Sequence, residues 1–170
     1  MKKINLIWIF LLLLISCAVN KVEYFPIWWQ TETEGVVTGY GTGANDLENI
    51  AKLAAQNDAY NQFTKVIIKY LNDYVATNCI EPGDEQIQRE LDRIFLSFTK
   101  HFQSLTTPKI TIGNSEATSI KIDGKIHLKY FVSLQIQQSE IRADFVDFLD
   151  TSDLYISPKL RSVLRNCFKQ

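Results

Sequence analysis

The sequence contains few of the residues that build catalytic and metal sites. Its 170 residues include two histidines and three cysteines. Neither His101 nor His127 has a partner at the spacing of a metal site. A cysteine nucleophile needs a base close by, and no local pattern marks Cys79 or Cys167 for that role. We therefore predict that the protein is not an enzyme and that it uses no metal and no cofactor.

The net charge of the sequence is too small to indicate a class of binding partner. It carries 18 Lys and Arg against 19 Asp and Glu, a formal net charge of -1. Composition therefore gives no support for binding to nucleic acid or to an anionic membrane surface. Hydrophobic residues make up 46% and charged residues 22% of the chain, which is typical of one globular domain and excludes disordered, collagenous and polytopic membrane classes.

A hydrophobic run at the N-terminus is too short to span a membrane. Lys2 and Lys3 precede an almost unbroken apolar stretch over residues 4–15, whereas a membrane-spanning helix needs about 20 apolar residues. A basic head followed by such a run is typical of a secretory signal peptide. We therefore predict a signal peptide over residues 1–16.

The hydrophobic run ends in Leu14-Ile15-Ser16-Cys17, which resembles a bacterial lipobox. In a lipobox the cysteine thiol takes a diacylglyceryl group, and a peptidase then cleaves before the cysteine, whose new amine is acylated. Two or three acyl chains anchor a protein stably where one chain does not. Cys17 is therefore the predicted lipidation site, and the alternative is a plain cysteine just past an ordinary signal peptide.

Processing would change both the charge and the number of free thiols. Without residues 1–16 the chain has 154 residues, with 16 basic against 19 acidic side chains and a net charge of -3. With Cys17 lipidated, Cys79 and Cys167 remain, and an even pair in an exported protein permits a disulfide. Two unrelated cysteines are the alternative, because sequence does not place their Cα atoms within reach of each other.

Residues 17–34 form the predicted lipidated N-terminus and tether. They have no helical or strand period, and they contain four aromatic residues, Tyr24, Phe25, Trp28 and Trp29. So much aromatic surface does not suit a free linker. We expect it to dock on the domain or to lie at lipid headgroups, and we favour docking.

A short β-like stretch over residues 36–41 leads to a long helical pattern. Asn45 and Glu48 resemble a capping box at the start of this helix. Apolar residues then follow at spacings of three and four to about residue 76, small in the first half and large in the second. The small residues would let another element approach closely; they are Ala51, Ala54, Ala55 and Ala59.

A second helical pattern covers residues 87–105, and a β region with a turn at Asp123-Gly124 follows Pro108. The sequence is compatible with either a two-residue or a three-residue loop at this turn. We favour the three-residue loop, because it pairs Ile120 with Ile126 and gathers the apolar side chains on one face. Short helical segments follow from residue 139 and after residue 158.

These elements predict a single domain over residues 35–170 of the α+β class. We expect a two-layer domain in which a long helix and a second helix pack on an antiparallel sheet of about three strands, with short C-terminal helices.

The stretch Gly39-Tyr40-Gly41-Thr42-Gly43-Ala44 fits the glycine-rich pattern of dinucleotide sites. The second strand of such a site, with its ribose-binding acid, would fall at residues 59–64, inside the predicted long helix. We therefore predict no nucleotide binding. The glycines are interpreted as a tight turn between strand and helix.

Taken together, several features resemble the LPP-twenty family of bacterial outer-membrane lipoproteins over about residues 24–136. The features are the lipobox, Pro26, Trp28 and Trp29 of the tether, the glycine-rich stretch 35–43, and a helix carrying Ala51, Ala54, Ala55, Asp58 and Ala59. The resemblance implies an α+β envelope lipoprotein without catalytic residues, and Cys17 is the one functional residue that it carries over. Ala18 stands where an inner-membrane retention signal has Asp, which favours the outer membrane.

The predicted function is that of a non-enzymatic, lipid-anchored binding or assembly module for other envelope proteins, with flagellar and cell-wall-associated proteins as candidates. Its expected partners are the lipid bilayer, through the acylated Cys17, and an envelope protein, with no nucleic acid and no nucleotide. The alternative is a surface-exposed lipoprotein antigen or adhesin that contacts host molecules. In either case we expect the domain to be anchored by lipid to the outer membrane, on its periplasmic face or on the cell surface.

Substitution of the predicted lipidation site tests the anchor. We expect Cys17→Ser to abolish palmitate incorporation, because the acylated thiol is gone, whereas Cys167→Ser keeps its label. Metabolic labelling with palmitate measures both. Unchanged labelling of Cys17→Ser would contradict the prediction.

Overall fold

The computed structural model describes residues 23–80, 84–105 and 109–169, so the predicted signal peptide and Cys17 lie outside the described residues. The described part forms three strands and four helices: β1 (Val36–Asn45), α1 (Glu48–Asn78), α2 (Glu85–Leu105), β2 (Thr111–Ile122), β3 (Lys125–Gln137), α3 (Gln138–Thr151) and α4 (Pro158–Phe168). The strands form one antiparallel sheet in the order β1-β3-β2. The predicted α+β class, the helical pair and the C-terminal helices are confirmed.

Strand β1 continues through the glycine-rich stretch to Asn45, so the predicted tight turn at these glycines is wrong. Gly39, Gly41 and Gly43 pair with residues of β3 and face α1. A glycine inside a strand often marks a close approach of another backbone. Here that backbone belongs to the alanine-rich half of α1.

The contact between β1 and α1 leaves no room for a side chain on the strand. A Cβ atom added at Gly41 would lie within 3.0 Å of backbone atoms of Ala55 and Ala59, and one added at Gly43 would meet the next turn of the helix equally closely. The alanines that face the strand are fully buried. We call this contact the glycine–alanine seam; its members are Gly39, Gly41 and Gly43 of β1 and Ala51, Ala55 and Ala59 of α1.

The seam has matching repeats on its two sides. Two residues of an antiparallel strand advance about 6.8 Å and four residues of an α-helix advance about 6 Å. Glycines two apart therefore meet alanines four apart over three successive contacts. Asp58 adds a polar link at the edge of the sheet, because its carboxylate accepts a hydrogen bond from the backbone N–H of Thr42 at 2.9 Å.

The second half of α1 packs with the other helices through large side chains. Its buried residues there are Phe63, Ile67, Leu71 and Val75. They share one hydrophobic core with α2, α3 and α4. Aromatic rings fill the centre of this core: the ring centroid of Phe98 lies 5.1 Å from that of Phe145, which in turn lies 4.7 Å from that of Phe168.

A disulfide joins the end of α1 to the end of α4. Cys79 and Cys167 are bonded, with their Cα atoms 5.5 Å apart and a sequence separation of 88 residues. Closing a loop of this length restricts the unfolded chain and, in the chain-entropy model, stabilises the fold by about 4–5 kcal/mol.

The β2–β3 hairpin corrects the predicted register. Asp123 and Gly124 both have positive φ and form a two-residue loop, and Ile120 pairs with His127 instead of Ile126. The prediction assumed that one face of this end is buried. The hairpin instead extends past the last residue of β1 and leaves Ile126 73% exposed, so the turn preference of Asp-Gly sets the register there.

The predicted capping box at the start of α1 does not form. The helix begins at Glu48 with Leu47 as its N-cap, and no side chain caps it. Asn45 accepts a hydrogen bond from the backbone N–H of Leu47. Glu48 instead accepts a hydrogen bond from the Tyr130 hydroxyl of β3, which ties the first turn of α1 to the sheet.

A single methyl group tests the seam. We expect Gly41→Ala to lower the free energy of unfolding by about 3 kcal/mol, because helix backbone occupies the space of the new Cβ. This exceeds the gain of about 0.4–1 kcal/mol from a stiffer unfolded chain. Ala44→Val, at an exposed position of the same strand, is the control and should cost little. Equal stability of the two variants in urea unfolding would contradict the seam.

Candidate functional site

The face of the sheet opposite α1 carries its own aromatic side chains. Side chains alternate along a strand, so Tyr40 and Thr42 point away from the helix that the seam glycines contact. Phe131 pairs with Thr42 across the sheet and therefore shares this outer face. Phe131 is nonetheless fully buried, because the chain that precedes β1 covers it.

Residues 23–31 lie on this outer face, and we call them the docked segment. The Trp29 ring lies 5.2 Å from the rings of both Phe131 and Tyr40, measured between centroids. The rings of Tyr24 and Phe25 lie 6.0 and 5.9 Å from Phe131. The predicted docking of the aromatic tether is confirmed for these residues, and the sheet lies between α1 and the docked segment.

Polar groups of the sheet hold the edges of the docked segment. Glu116 of β2 accepts hydrogen bonds from the Tyr24 hydroxyl and from Trp28 Nε1, the latter at 3.3 Å. The ammonium group of Lys129 forms an ion pair with Glu23 and lies 5.0 Å from the centroid of the Phe131 ring. This combination of a carboxylate, an amine and packed rings fixes the segment at several points.

The contacts also fix the direction of the docked segment. Its first residue, Glu23, contacts Lys129, which pairs with Ala44 near the end of β1. The carbonyl of Thr31, at its other end, accepts a hydrogen bond of 2.6 Å from the Tyr40 hydroxyl. The segment therefore runs opposite to β1, and Glu23 lies at the end of the domain where β1 ends and α1 begins.

A cleft of about 780 Å³ borders residues 30–38 and α1. Lys69, Tyr70 and Asp73 line its helical side. The Tyr70 hydroxyl accepts a hydrogen bond from Arg142 at 3.2 Å. Burial raises the pKa of Tyr70, and the neighbouring guanidinium opposes that shift. The cleft therefore offers charged and hydroxyl groups on a surface next to the docked segment.

The structure separates Cys79 and Cys167 from the docked segment. Cys79 and Cys167 lie at the far end of α1, which spans about 46 Å over its 31 residues. They are bonded to each other, so neither is a free thiol that could act as a nucleophile. His101 packs against the ring of Phe148 in the helical core, and His127 lies in the β2–β3 hairpin.

Two further properties concern the described residues alone. Within them, no group of three or more histidine, cysteine or acidic residues is arranged to hold a metal ion. None of the helices in residues 23–80, 84–105 and 109–169 is long and apolar enough to cross a membrane.

The sequence analysis did not predict which sheet residues hold the docked segment. Glu116, Lys129 and Phe131 belong to β2 and β3, and their meeting on one face depends on the strand register. The aromatic composition of residues 24–29 indicated docking but not its partners. The alternation of side chains along β3 places Lys129 and Phe131 on one face, and this pattern could have indicated that they act together.

Comparisons with known proteins identify no relative of this chain. No family model, no curated protein and no solved structure matches the chain. The resemblance to the LPP-twenty family therefore stays a prediction.

The Tyr24 hydroxyl gives a prediction for how docking responds to alkaline pH. Its hydrogen bond to Glu116, with burial and the carboxylate charge adding to it, raises its pKa above 10.0. A raised pKa means that this contact contributes fully below pH 10 and is lost as pH rises through the folded-state value. We expect the segment to loosen above pH 10 and Tyr24→Phe to reduce this pH dependence.

Tryptophan emission measures this loosening directly. The sequence has three tryptophans, Trp8, Trp28 and Trp29, so the processed chain would carry them only in the docked segment. Tyr130→Phe is the control, because the pKa of Tyr130 is also raised, by its hydrogen bond to Glu48 outside the segment. An alkaline red shift that Tyr130→Phe removes and Tyr24→Phe does not would contradict this assignment.

Proposed function

We propose that the protein is a lipid-anchored envelope protein whose domain binds other envelope proteins and catalyses no reaction. The support comes from the lipobox-like sequence at Cys17 and from the docked segment that follows it. Glu23, the first of the described residues and one that contacts the sheet, is the sixth residue after Cys17. A domain joined to its anchor in this way is held close to the bilayer, which suits a module that presents one surface to a partner.

The helical end of the domain offers a surface for a protein partner. Tyr155 is 75% exposed, and its backbone carbonyl accepts a hydrogen bond of 2.6 Å from Arg93. Leu96, one helical turn from Arg93, is 49% exposed. Tyrosine and arginine are enriched in the residues that dominate binding at protein interfaces, so we assign the partner contact to this patch.

Crosslinking in intact envelopes tests the proposed binding. We expect a crosslinked envelope protein to co-purify with the wild type and to be reduced several-fold by Tyr155→Ala. Ile112→Ala, which truncates an exposed side chain on β2, is the matched control and should keep the partner. Equal recovery with both variants, or none with the wild type, would count against the proposal.

Protease added to intact cells tests which side of the outer membrane the domain occupies. The proposed envelope-binding module lies on the periplasmic face, so the domain should survive until the cells are permeabilised. Digestion without permeabilisation would instead support the surface-exposed antigen or adhesin.

A further inference from the structure

Apolar side chains are exposed together at one end of the domain. Beyond the last residue of β1, the β2–β3 hairpin continues as residues 120–127, which we call the hairpin tip. Ile122 and Ile126 of the tip are 42% and 73% exposed, and Leu47 at the start of α1 is 55% exposed. Single exposed apolar residues are ordinary, but a group of large ones at one end marks an interaction surface.

The hairpin tip and the start of α1 are neighbours. Asn45, the last residue of β1, pairs with Leu128 directly after the tip. The helix begins three residues later, and its Glu48 accepts a hydrogen bond from Tyr130. Ile50, in the first turn of the helix, is exposed as well. The exposed apolar side chains of both elements therefore lie at the same end.

Lysines flank the isoleucines of the tip. Lys121 and Lys125 adjoin Ile122 and Ile126, and with Asp123 in the turn the tip carries a net positive charge. Lysine side chains can lay their stems along apolar surface and keep the ammonium group in water. Apolar residues flanked by lysines are typical of surfaces that lie in the headgroup region of a bilayer.

The docked segment begins at this same end of the domain, so the part of the chain that leads back to Cys17 starts there. Glu23 contacts Lys129, which lies two residues after the tip. Six residues span at most about 20–22 Å, so an anchor at Cys17 keeps the bilayer within that distance of Glu23. The tip extends about 14 Å beyond Lys129. The disulfide end of α1, about 46 Å from its start, is beyond this reach.

We propose that the hairpin tip and the first turn of α1 contact the surface of the bilayer that holds the anchor, with Ile122 and Ile126 among the lipid headgroups. This inference rests on the proposed lipid anchor at Cys17. In this orientation α1 leads away from the bilayer, and the disulfide between Cys79 and Cys167 marks the end of α1 that lies farthest from it.

Site-specific labelling of the lipidated, processed protein in vesicles tests this contact. With Cys17 acylated and Cys79 bonded to Cys167, Ile126→Cys introduces the one free thiol for an environment-sensitive fluorophore. Ile112→Cys is the matched control, because Ile112 is an exposed isoleucine at the opposite end of the hairpin. The vesicles contain phosphatidylethanolamine and phosphatidylglycerol, with and without nitroxide-labelled lipid.

We expect nitroxide lipid to quench the label at position 126 about threefold or more strongly than the label at position 112, since an interfacial side chain lies about 5–10 Å into the headgroup boundary. Flotation with the vesicles reports the anchor separately. Protein that floats but shows equal quenching at both positions overturns this inference alone. Protein that does not float overturns both the anchor and the inference.

Discussion

The glycine–alanine seam is the contact on which the rest of the structure depends. It brings the backbone of α1 so close to β1 that no Cβ fits at Gly39, Gly41 or Gly43. This closeness puts the start of α1 directly over β1 and β3, where Glu48 reaches Tyr130 and Asp58 reaches the N–H of Thr42. The helix is therefore held against the sheet by fixed backbone contacts along its small-residue half.

The two halves of α1 give the domain two ends with different properties. The small-residue half lies on the sheet, whose other face binds the docked segment through Phe131 and Glu116. The large-residue half leaves the sheet and enters the helical core, where the disulfide closes its end. The chain from the proposed anchor joins the first end, and the proposed protein-binding patch at Tyr155 belongs to the helical layer. One long helix thus separates the proposed membrane contact from the proposed partner contact.

Periodicity in the sequence predicted the elements but not how they meet. The change from alanine to large residues along α1 correctly indicated a close neighbour for the first half, because residue size directly limits distance. The predicted turn at Gly41 is wrong, because glycine occurs both in turns and at close backbone contacts. The sequence alone does not show which of the two applies. The predicted pairing of Ile120 with Ile126 is wrong, since neither face of the hairpin is buried where it extends beyond β1. Without the correct strand register, the sequence does not show that Glu116 and Phe131 both contact Tyr24.

The seam can be observed directly by nuclear Overhauser effects in solution. A Cβ at Gly41 would come within 3.0 Å of the backbone nitrogen of Ala59, so the Gly41 α proton that points toward α1 must lie very close to the amide proton of Ala59. The account predicts a strong effect between these protons, and none between Gly124 and α1, since Gly124 has open space around it. Absence of the Gly41–Ala59 effect in the folded protein would contradict the central claim.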